Sequence, residues 1–197
     1  MSNLELNKGD NIIFAIDVSA SMSNSDCAGG LSRIEYAKEK TIAFINEAAK
    51  HDTDGVDIIT FGHKVEALTT SSDNFTSTVE IVKQLKATEG ATDTAGAIRK
   101  AWSLSNSKQQ TVLFLITDGE PSDRDAVKSV IQDITNNVTH EHQFNISLLT
   151  VGEVNSELRS FLTELDDSLQ ASKYDIVDVK TLDEVDFIGA FAAALQD

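Results

Sequence analysis

Short apolar runs recur along the chain and alternate with segments of helical period, and this alternation limits the fold more than any other feature. The clearest runs cover residues 11–17, 56–61, 112–117 and 144–151. Continuous apolar runs of this length are typical of strands that are buried on both faces of a parallel sheet. A weaker run at residues 65–68 predicts an antiparallel edge strand, and residues 174–179 predict the last strand.

Between these runs, apolar residues recur at steps of three and four, which is the helical period. This pattern predicts helices over residues 34–49, 75–85, 94–104, 127–138, 158–169 and 185–195. Strands that alternate with helices form βαβ crossovers around a mostly parallel sheet. We therefore predict an α/β fold: a doubly wound, Rossmann-like three-layer sandwich with one short antiparallel edge strand. No linker or repeat divides the chain, so we expect a single domain over residues 1–197, with a core from about residue 10 to residue 195.

The chain is strongly acidic, because 32 Asp and Glu residues against 16 Lys and Arg residues give a formal net charge of −16. A surface this negative repels phosphate groups, which argues against nucleic-acid binding and against docking on anionic membranes. Cys27 is the only cysteine, and the first residues do not resemble a signal peptide. No apolar run approaches the roughly 20 residues that span a bilayer. These features predict a cytoplasmic protein without membrane insertion.

The first predicted strand ends in an Asp-x-Ser-x-Ser pattern formed by Asp17, Ser19 and Ser21. In a tight loop these three oxygen-bearing side chains can converge on one point. Hard cations such as Mg²⁺ prefer oxygen ligands in octahedral geometry, whereas zinc and copper prefer nitrogen and sulfur. Alone the pattern is weak evidence, because Asp and Ser are also common turn residues.

Two further segments strengthen the case for a metal site. Thr92 lies just before a predicted helix, and Asp118 lies at the end of another predicted strand. Both are expected beside the first loop, at the carboxyl ends of the strands, where ligands bind in open α/β sheets. The sequence therefore indicates five oxygen-bearing side chains around one cation.

The three segments, in this order and spacing, resemble the metal-ion-dependent adhesion site of von Willebrand factor A-type domains. The resemblance covers nearly the whole chain, and residues 33–38 also resemble the first helix of bacterial members. It implies that Ser19, Ser21 and Thr92 ligate Mg²⁺, with Mn²⁺ or Ca²⁺ as alternatives, directly or through water. It implies that Asp17 and Asp118 ligate through water or anchor the coordination shell. A partner protein's Asp or Glu would fill the open position.

The resemblance also carries expectations about biology and about regulation. Small free-standing bacterial members include tellurite-resistance-associated and other stress-associated proteins, although the motif does not choose among them. In some members of the family, the residues at the positions of Thr92 and Asp118 exchange roles between states of low and high affinity, which implies the same possibility here. Ala20 and Ala91 stand where many members carry glycine, and both are small enough for the loops to close. The loop at residues 23–31 borders the site and either shapes partner choice or is a mobile surface loop.

Other interpretations have less support in the sequence. A metal-dependent hydrolase of the haloacid-dehalogenase phosphatase type would need a second aspartate where Ser19 stands, and no nucleophile elbow or phosphate-binding loop is present. No histidine base is evident for Ser19 or Ser21, so we expect no enzyme activity. A scaffold of the same fold that has lost metal binding is the third alternative. Near the site, we expect Ser122 to cap the helix after Pro121, and Asp93 to face solvent or cap the helix at Thr94.

Overall fold

A computed structural model describes residues 9–50, 55–69, 74–88, 90–105, 109–167, 169 and 172–186. It contains six strands: β1 (Asn11–Asp17), β2 (Asp57–Phe61), β3 (Val65–Ala67), β4 (Thr111–Thr117), β5 (Phe144–Thr150) and β6 (Val177–Thr181). Five α-helices flank them: α1 (Arg33–Ala48), α2 (Phe75–Gln84), α3 (Thr94–Leu104), α4 (Arg124–Asn137) and α5 (Ser156–Asp167).

The six strands form one sheet in the order β3-β2-β1-β4-β5-β6. All neighbouring strands are parallel except β2 and β3, which pair antiparallel at one edge. The chain builds outward from β1 to β3 on one side and then from β4 to β6 on the other. This confirms the predicted doubly wound sheet with its short antiparallel edge strand. The order reverses between β1 and β4, so the carboxyl ends of these two strands form the crevice where such sheets bind ligands.

Helices cover both faces of the sheet, and the strands alternate their side chains between two apolar clusters. Ile13 and Ala15 of β1 pack in one cluster with residues of α3, α4 and α5. Phe14 and Ile16 pack in the other cluster with residues of α1 and α2. In that second cluster the rings of Phe14 and Phe114 stack with their centroids 4.9 Å apart. Because β1 and β4 are buried on both faces, their carboxyl ends are held rigidly in the middle of the molecule.

The predicted elements differ from the structure mainly at the end of the chain. The last strand begins at Val177 rather than at residue 174, and Tyr174 and Asp175 lie in irregular backbone before it. The backbone carbonyl of Ile176 accepts the first hydrogen bond from β5, at the amide of Ile146. Most of the predicted helix over residues 185–195 lies outside the described residues. Within the described part of the chain, no helix has both the length and the apolar character needed to cross a bilayer.

Candidate metal centre

The first loop is organised around the carboxylate of Asp17, which is fully buried at the end of β1. Its Oδ1 accepts a hydrogen bond of 2.8 Å from the backbone N–H of Ser19. Its Oδ2 accepts a hydrogen bond of 2.7 Å from the hydroxyl of Thr117, the last residue of the neighbouring strand β4. Asp17 therefore fixes the turn that follows β1 and ties that turn to the end of β4.

The two serines of this loop lie side by side. The Oγ atoms of Ser19 and Ser21 are 3.2 Å apart, within hydrogen-bond distance. Ser19 precedes a short 3-10 helix, Ala20–Ser23, whose Met22 is fully buried and anchors the loop in the core. The helical turn brings the two hydroxyls to the same side, as the spacing of the motif predicts.

Thr92 lies in a loop that backbone hydrogen bonds attach to the first loop and to the end of β2. Thr88 donates through its N–H and its hydroxyl to the carbonyl of Val18, at 2.7 and 3.0 Å. Asp93 donates its N–H to the carbonyl of Gly62 at 3.0 Å. A Cβ atom at Gly62 would lie 3.5 Å from the amide nitrogen of Ser19 and 3.7 Å from the carbonyl oxygen of Ala91. The two loops therefore pack against each other across Gly62.

The side chain of Thr92 is available for a ligand. The residue is 8% exposed, and its backbone N–H donates to the hydroxyl of Ser122 at 2.9 Å. Its carbonyl accepts from the N–H of Ser122 at 3.0 Å. Among the described residues, the hydroxyl of Thr92 itself has no hydrogen-bond partner.

Asp118 follows β4 and is 5% exposed. Its Oδ2 accepts a hydrogen bond of 3.1 Å from Nη1 of Arg33, at the start of α1. The same guanidinium contacts the carboxylate of Asp26, with Nε 2.9 Å from Oδ1 and Nη2 2.5 Å from Oδ2. Arg33 therefore lies between a carboxylate of the candidate site and a carboxylate of the loop at residues 23–31.

Burial dominates the electrostatics of the site. It raises the pKa of the Asp17 carboxyl to about 6, against the opposing effect of the hydrogen bonds from Thr117 and Ser19, and the nearby Asp118 adds a small upward contribution. A carboxylate in such a place costs free energy unless a positive charge accompanies it. A cation bound beside Asp17 would supply that charge.

The donor set fits a hard cation. The described residues contain no group of three or more His, Cys, Asp and Glu side chains that could hold a metal ion. The side chains at this rim offer hydroxyl and carboxylate oxygens, the donors that Mg²⁺ and Mn²⁺ prefer. Ser19 contacts both other members of the motif, Asp17 through its backbone N–H and Ser21 through its hydroxyl. It places Asp118 at the end of the adjacent strand and Thr92 in the adjoining loop.

Three residues with roles at this rim were missed by sequence reasoning: Thr117, Arg33 and Ser122. Thr117 and Arg33 lie inside segments that carry the family resemblance, but nothing local shows which side chain they contact. The capping prediction for Ser122 was wrong, because Asp123 caps α4 by accepting from the N–H of Ala126. Ser122 instead contacts Thr92. The prediction for Asp93 is confirmed, since its carboxylate caps α3 by accepting from the N–H of Gly96 at 2.8 Å.

Several solved structures share this fold. BatB, a conserved hypothetical protein from Bacteroides thetaiotaomicron, is 19% identical with a TM-score of 0.65, over 96% of this chain and 100% of that chain. A von Willebrand factor type A protein from Catenulispora acidiphila is 19% identical with a TM-score of 0.64, over 95% of this chain and 42% of that chain. The manganese-loaded TRAP protein of Plasmodium vivax is 16% identical with a TM-score of 0.62, over 92% of this chain and 74% of that chain.

At these identities the structural similarity shows the fold alone. A comparison with curated proteins found no match. The family profile of the von Willebrand factor type A domain matches residues 12–121, which is more than half of the chain and includes all three loops of the candidate site. The chain therefore belongs to the von Willebrand factor type A domain family.

Proposed function

We propose that this chain is a protein-interaction module that binds a divalent metal at a metal-ion-dependent adhesion site and uses it to hold a carboxylate of a partner protein. Domains of this family typically mediate protein interactions. The observation that carries the proposal is the pair of hydroxyls on Ser19 and Ser21, 3.2 Å apart beside the buried carboxylate of Asp17. This geometry concentrates oxygen donors and negative charge at the crevice of the sheet.

In this proposal the five side chains have two different roles, as hydroxyl ligands and as carboxylates that supply charge. Ser19, Ser21 and Thr92 hold the metal through their hydroxyls. Asp17 and Asp118 supply charge from positions fixed by Thr117 and Arg33. The bound metal supplies a positive charge that is only partly neutralised, because hydroxyls are uncharged ligands. An Asp or Glu of the partner is then attracted to it.

Mg²⁺ is the proposed metal, because hydroxyl and carboxylate oxygens suit it and it commonly retains water ligands. Mn²⁺ is the first alternative, since the related TRAP protein was crystallised with manganese. Ca²⁺ is the second alternative. It accepts more ligands at longer distances, so the number of oxygens bound would distinguish it.

The proposal makes the chain a binding protein rather than an enzyme. The contact between the hydroxyls of Ser19 and Ser21, 3.2 Å apart, suits a pair of metal ligands. We place the module in the bacterial cytoplasm, among stress-associated members of the family. The single cysteine and the acidic composition support that setting.

Titration calorimetry with MgCl₂ and MnCl₂ tests metal binding. We expect the wild type to bind one equivalent, and Asp17→Ala and Ser19→Ala to lose roughly 100-fold or more in affinity, since even residues behind the ligands contribute about 10–100-fold. Asp133→Ala and Ser160→Ala are matched controls, because both residues are exposed on helices away from the site. Equal affinities for the site variants and their controls would contradict the proposal.

A phosphatase assay separates the binding module from the enzyme alternative. Hydrolysis of p-nitrophenyl phosphate with added Mg²⁺ is expected to be no faster for the wild type than for Asp17→Ala. Metal-dependent turnover that Asp17→Ala abolishes would instead show a hydrolase. If metal binding itself is absent while the fold is intact, the metal-independent scaffold is the better interpretation.

A further inference from the structure

The geometry points to Arg33 as a built-in cation that tunes the candidate site. Its guanidinium donates to Asp118 and offsets the charge of that carboxylate, and this charge effect lowers the affinity of the site for the metal. Asp26 shares the guanidinium and moderates that effect. This inference rests on the proposed function and adds a regulatory residue to it. It also connects the metal centre to the exposed loop at residues 23–31.

The contacts of Arg33 are those of a fixed bridge rather than of a surface side chain. Its side chain is 11% exposed, against 5% for Asp118 and 30% for Asp26. Nη1 binds Asp118 while Nε and Nη2 form a two-point contact with Asp26. The backbone N–H of Arg33 also donates to the carbonyl of Asn24 at 2.9 Å, which holds the start of α1 against the same loop.

Gly152 provides the space for the guanidinium. A Cβ atom at Gly152 would lie 2.2 Å from Nε of Arg33 and 2.7 Å from its Cζ, which no side chain could tolerate without moving the arginine. The backbone after β5 therefore approaches Arg33 as closely as glycine permits. The guanidinium therefore packs against the backbone after β5 in addition to contacting its two carboxylates.

Charge gives the direction of the effect. Asp118 carries negative charge that attracts a cation, and the guanidinium bonded to its Oδ2 neutralises part of it. A metal bound nearby would also be repelled by Arg33 itself. With the metal in place, the same positive charge favours the incoming carboxylate of a partner. Arg33 therefore lowers the affinity for the metal and raises the attraction to the partner's carboxylate. The negative charge of Asp26 in the loop weakens both effects.

The opposing explanation is that Arg33 only fastens the loop to α1. Under that explanation, removing Arg33 loosens the site and weakens metal binding. Under our inference, removing it strengthens metal binding, because the site becomes more negative. The two explanations thus predict opposite signs for the same variant.

The test is calorimetric titration of the full chain with MnCl₂ alone, at an ionic strength of about 0.15 M, where charges more than roughly 8 Å apart are largely screened. We expect Arg33→Gln to bind Mn²⁺ about threefold to tenfold more tightly than the wild type, and Asp26→Asn to bind more weakly by a similar factor. Arg33→Lys, which keeps the charge, should stay within about twofold of the wild type.

Lys50→Gln and Glu47→Gln are the matched controls, because they make the same charge changes in an ion pair at the other end of α1. Ala48, the last residue of α1, lies 15 residues beyond Arg33, roughly 22 Å along the helix at 1.5 Å per residue, and Lys50 follows the end of the helix. Both controls should bind Mn²⁺ as the wild type does, within about twofold.

The outcomes separate the two proposals. A wild type that binds no Mn²⁺ overturns the proposed function and this inference with it. A wild type that binds, with Arg33→Gln equal to or weaker than Lys50→Gln, overturns the inference and leaves the proposed function standing. If Arg33→Gln fails to fold, Arg33→Met, which removes the same charge and keeps the aliphatic stem, decides in its place, and affinity equal to or weaker than that of Lys50→Gln overturns the inference.

Discussion

Buried polar side chains are satisfied by hydrogen bonds that include at least one partner from a distant segment. Asp17 is fully buried and receives hydrogen bonds from Ser19 and Thr117. Tyr36 of α1 is a second case, since its hydroxyl donates to the carboxylate of Asp183 in the turn after β6. In both cases the polar group links two elements that are distant in sequence, so that burial does not leave it unsatisfied.

Tyr36 gives a prediction that depends on pH. Burial, together with the carboxylate of Asp183, raises the pKa of Tyr36 from 10.0 to about 12. A group whose pKa is higher in the folded state adds stability below its unfolded pKa, and this contribution is lost as the pH rises through about 12. Ultraviolet titration at 295 nm should therefore show a late ionisation near pH 12 in the wild type. Tyr36→Phe should lose it.

The other tyrosine supplies the control for this titration. Tyr174 is the only other tyrosine in the chain, so Tyr174→Phe should leave the late ionisation in place. At pH 8, Tyr36→Phe should also lower the free energy of unfolding by about 1.5–3 kcal/mol, the usual contribution of a hydrogen bond to a charged acceptor. If the one tyrosine left in Tyr174→Phe ionises near the ordinary pKa of 10.0 instead, the contact between Tyr36 and Asp183 does not form.

At the scale of elements, the candidate site depends on loops that are braced against one another. The loop that carries Thr92 bonds to the first loop through Thr88 and Val18, and to the end of β2 through Asp93 and Gly62. Rigid strands below and backbone hydrogen bonds between the loops hold the oxygen donors before any ligand arrives. Such pre-organisation reduces the entropy lost on binding.

Gly90 tests this bracing. Its φ of +132° is a conformation that side chains rarely adopt, and a Cβ atom there would lie 2.8 Å from Cβ of His63. We expect Gly90→Ala to lower the free energy of unfolding by about 2–4 kcal/mol, from backbone strain of about 1–3 kcal/mol plus the steric clash. Urea denaturation in EDTA measures the change without any contribution from metal.

Gly29→Ala is the control for backbone strain alone, because its φ is +73° and nothing lies within 4 Å of the added Cβ atom. It should cost about 1–2 kcal/mol. Adding His63→Gly to Gly90→Ala should restore part of the lost stability, since it removes the clashing atom. If Gly90→Ala is no worse than Gly29→Ala, the loop and the β2–β3 turn are not packed as described.

Across the whole molecule, the candidate ligands lie at one end of the sheet, and apolar clusters cover both of its faces. The strands β1 and β4 contribute Asp17 and Asp118 at their carboxyl ends, and the crossovers bring α1 and the loop before α3 to the same rim. Because the metal would contact several of these segments together, its binding should stabilise the folded chain as a unit.

Metal-dependent stability is therefore expected. At a free Mg²⁺ concentration of about 100 times Kd, the free energy of unfolding should rise by about 2.7 kcal/mol. This corresponds to a rise in Tm of about 5–10 °C for a chain of this length. Differential scanning calorimetry with Mg²⁺ and with EDTA measures it. Asp17→Ala changes the net charge of −16 by one unit only, so an equal shift in that variant would reveal nonspecific binding to the acidic surface.

The sequence by itself determined the fold class, the family and the positions of the candidate ligands, because each follows from residue types and their spacing along the chain. β1 (Asn11–Asp17) and α3 (Thr94–Leu104) match their predicted bounds to the residue. The spacing of Asp17, Ser19 and Ser21 requires only one turn to bring their oxygens together. That these residues ligate a metal stays a prediction, which the titrations above test.

Only the tertiary structure decided which distant groups contact the candidate ligands. Thr117 and Asp17 are 100 residues apart in the chain, and Arg33 and Asp118 are 85 apart. No local pattern pairs such residues, because their contact depends on strand order and on how α1 packs against the sheet. The same reason explains why Ser122 binds the Thr92 loop instead of capping α4. Local propensity selects elements, whereas packing between elements selects the partners of buried polar groups.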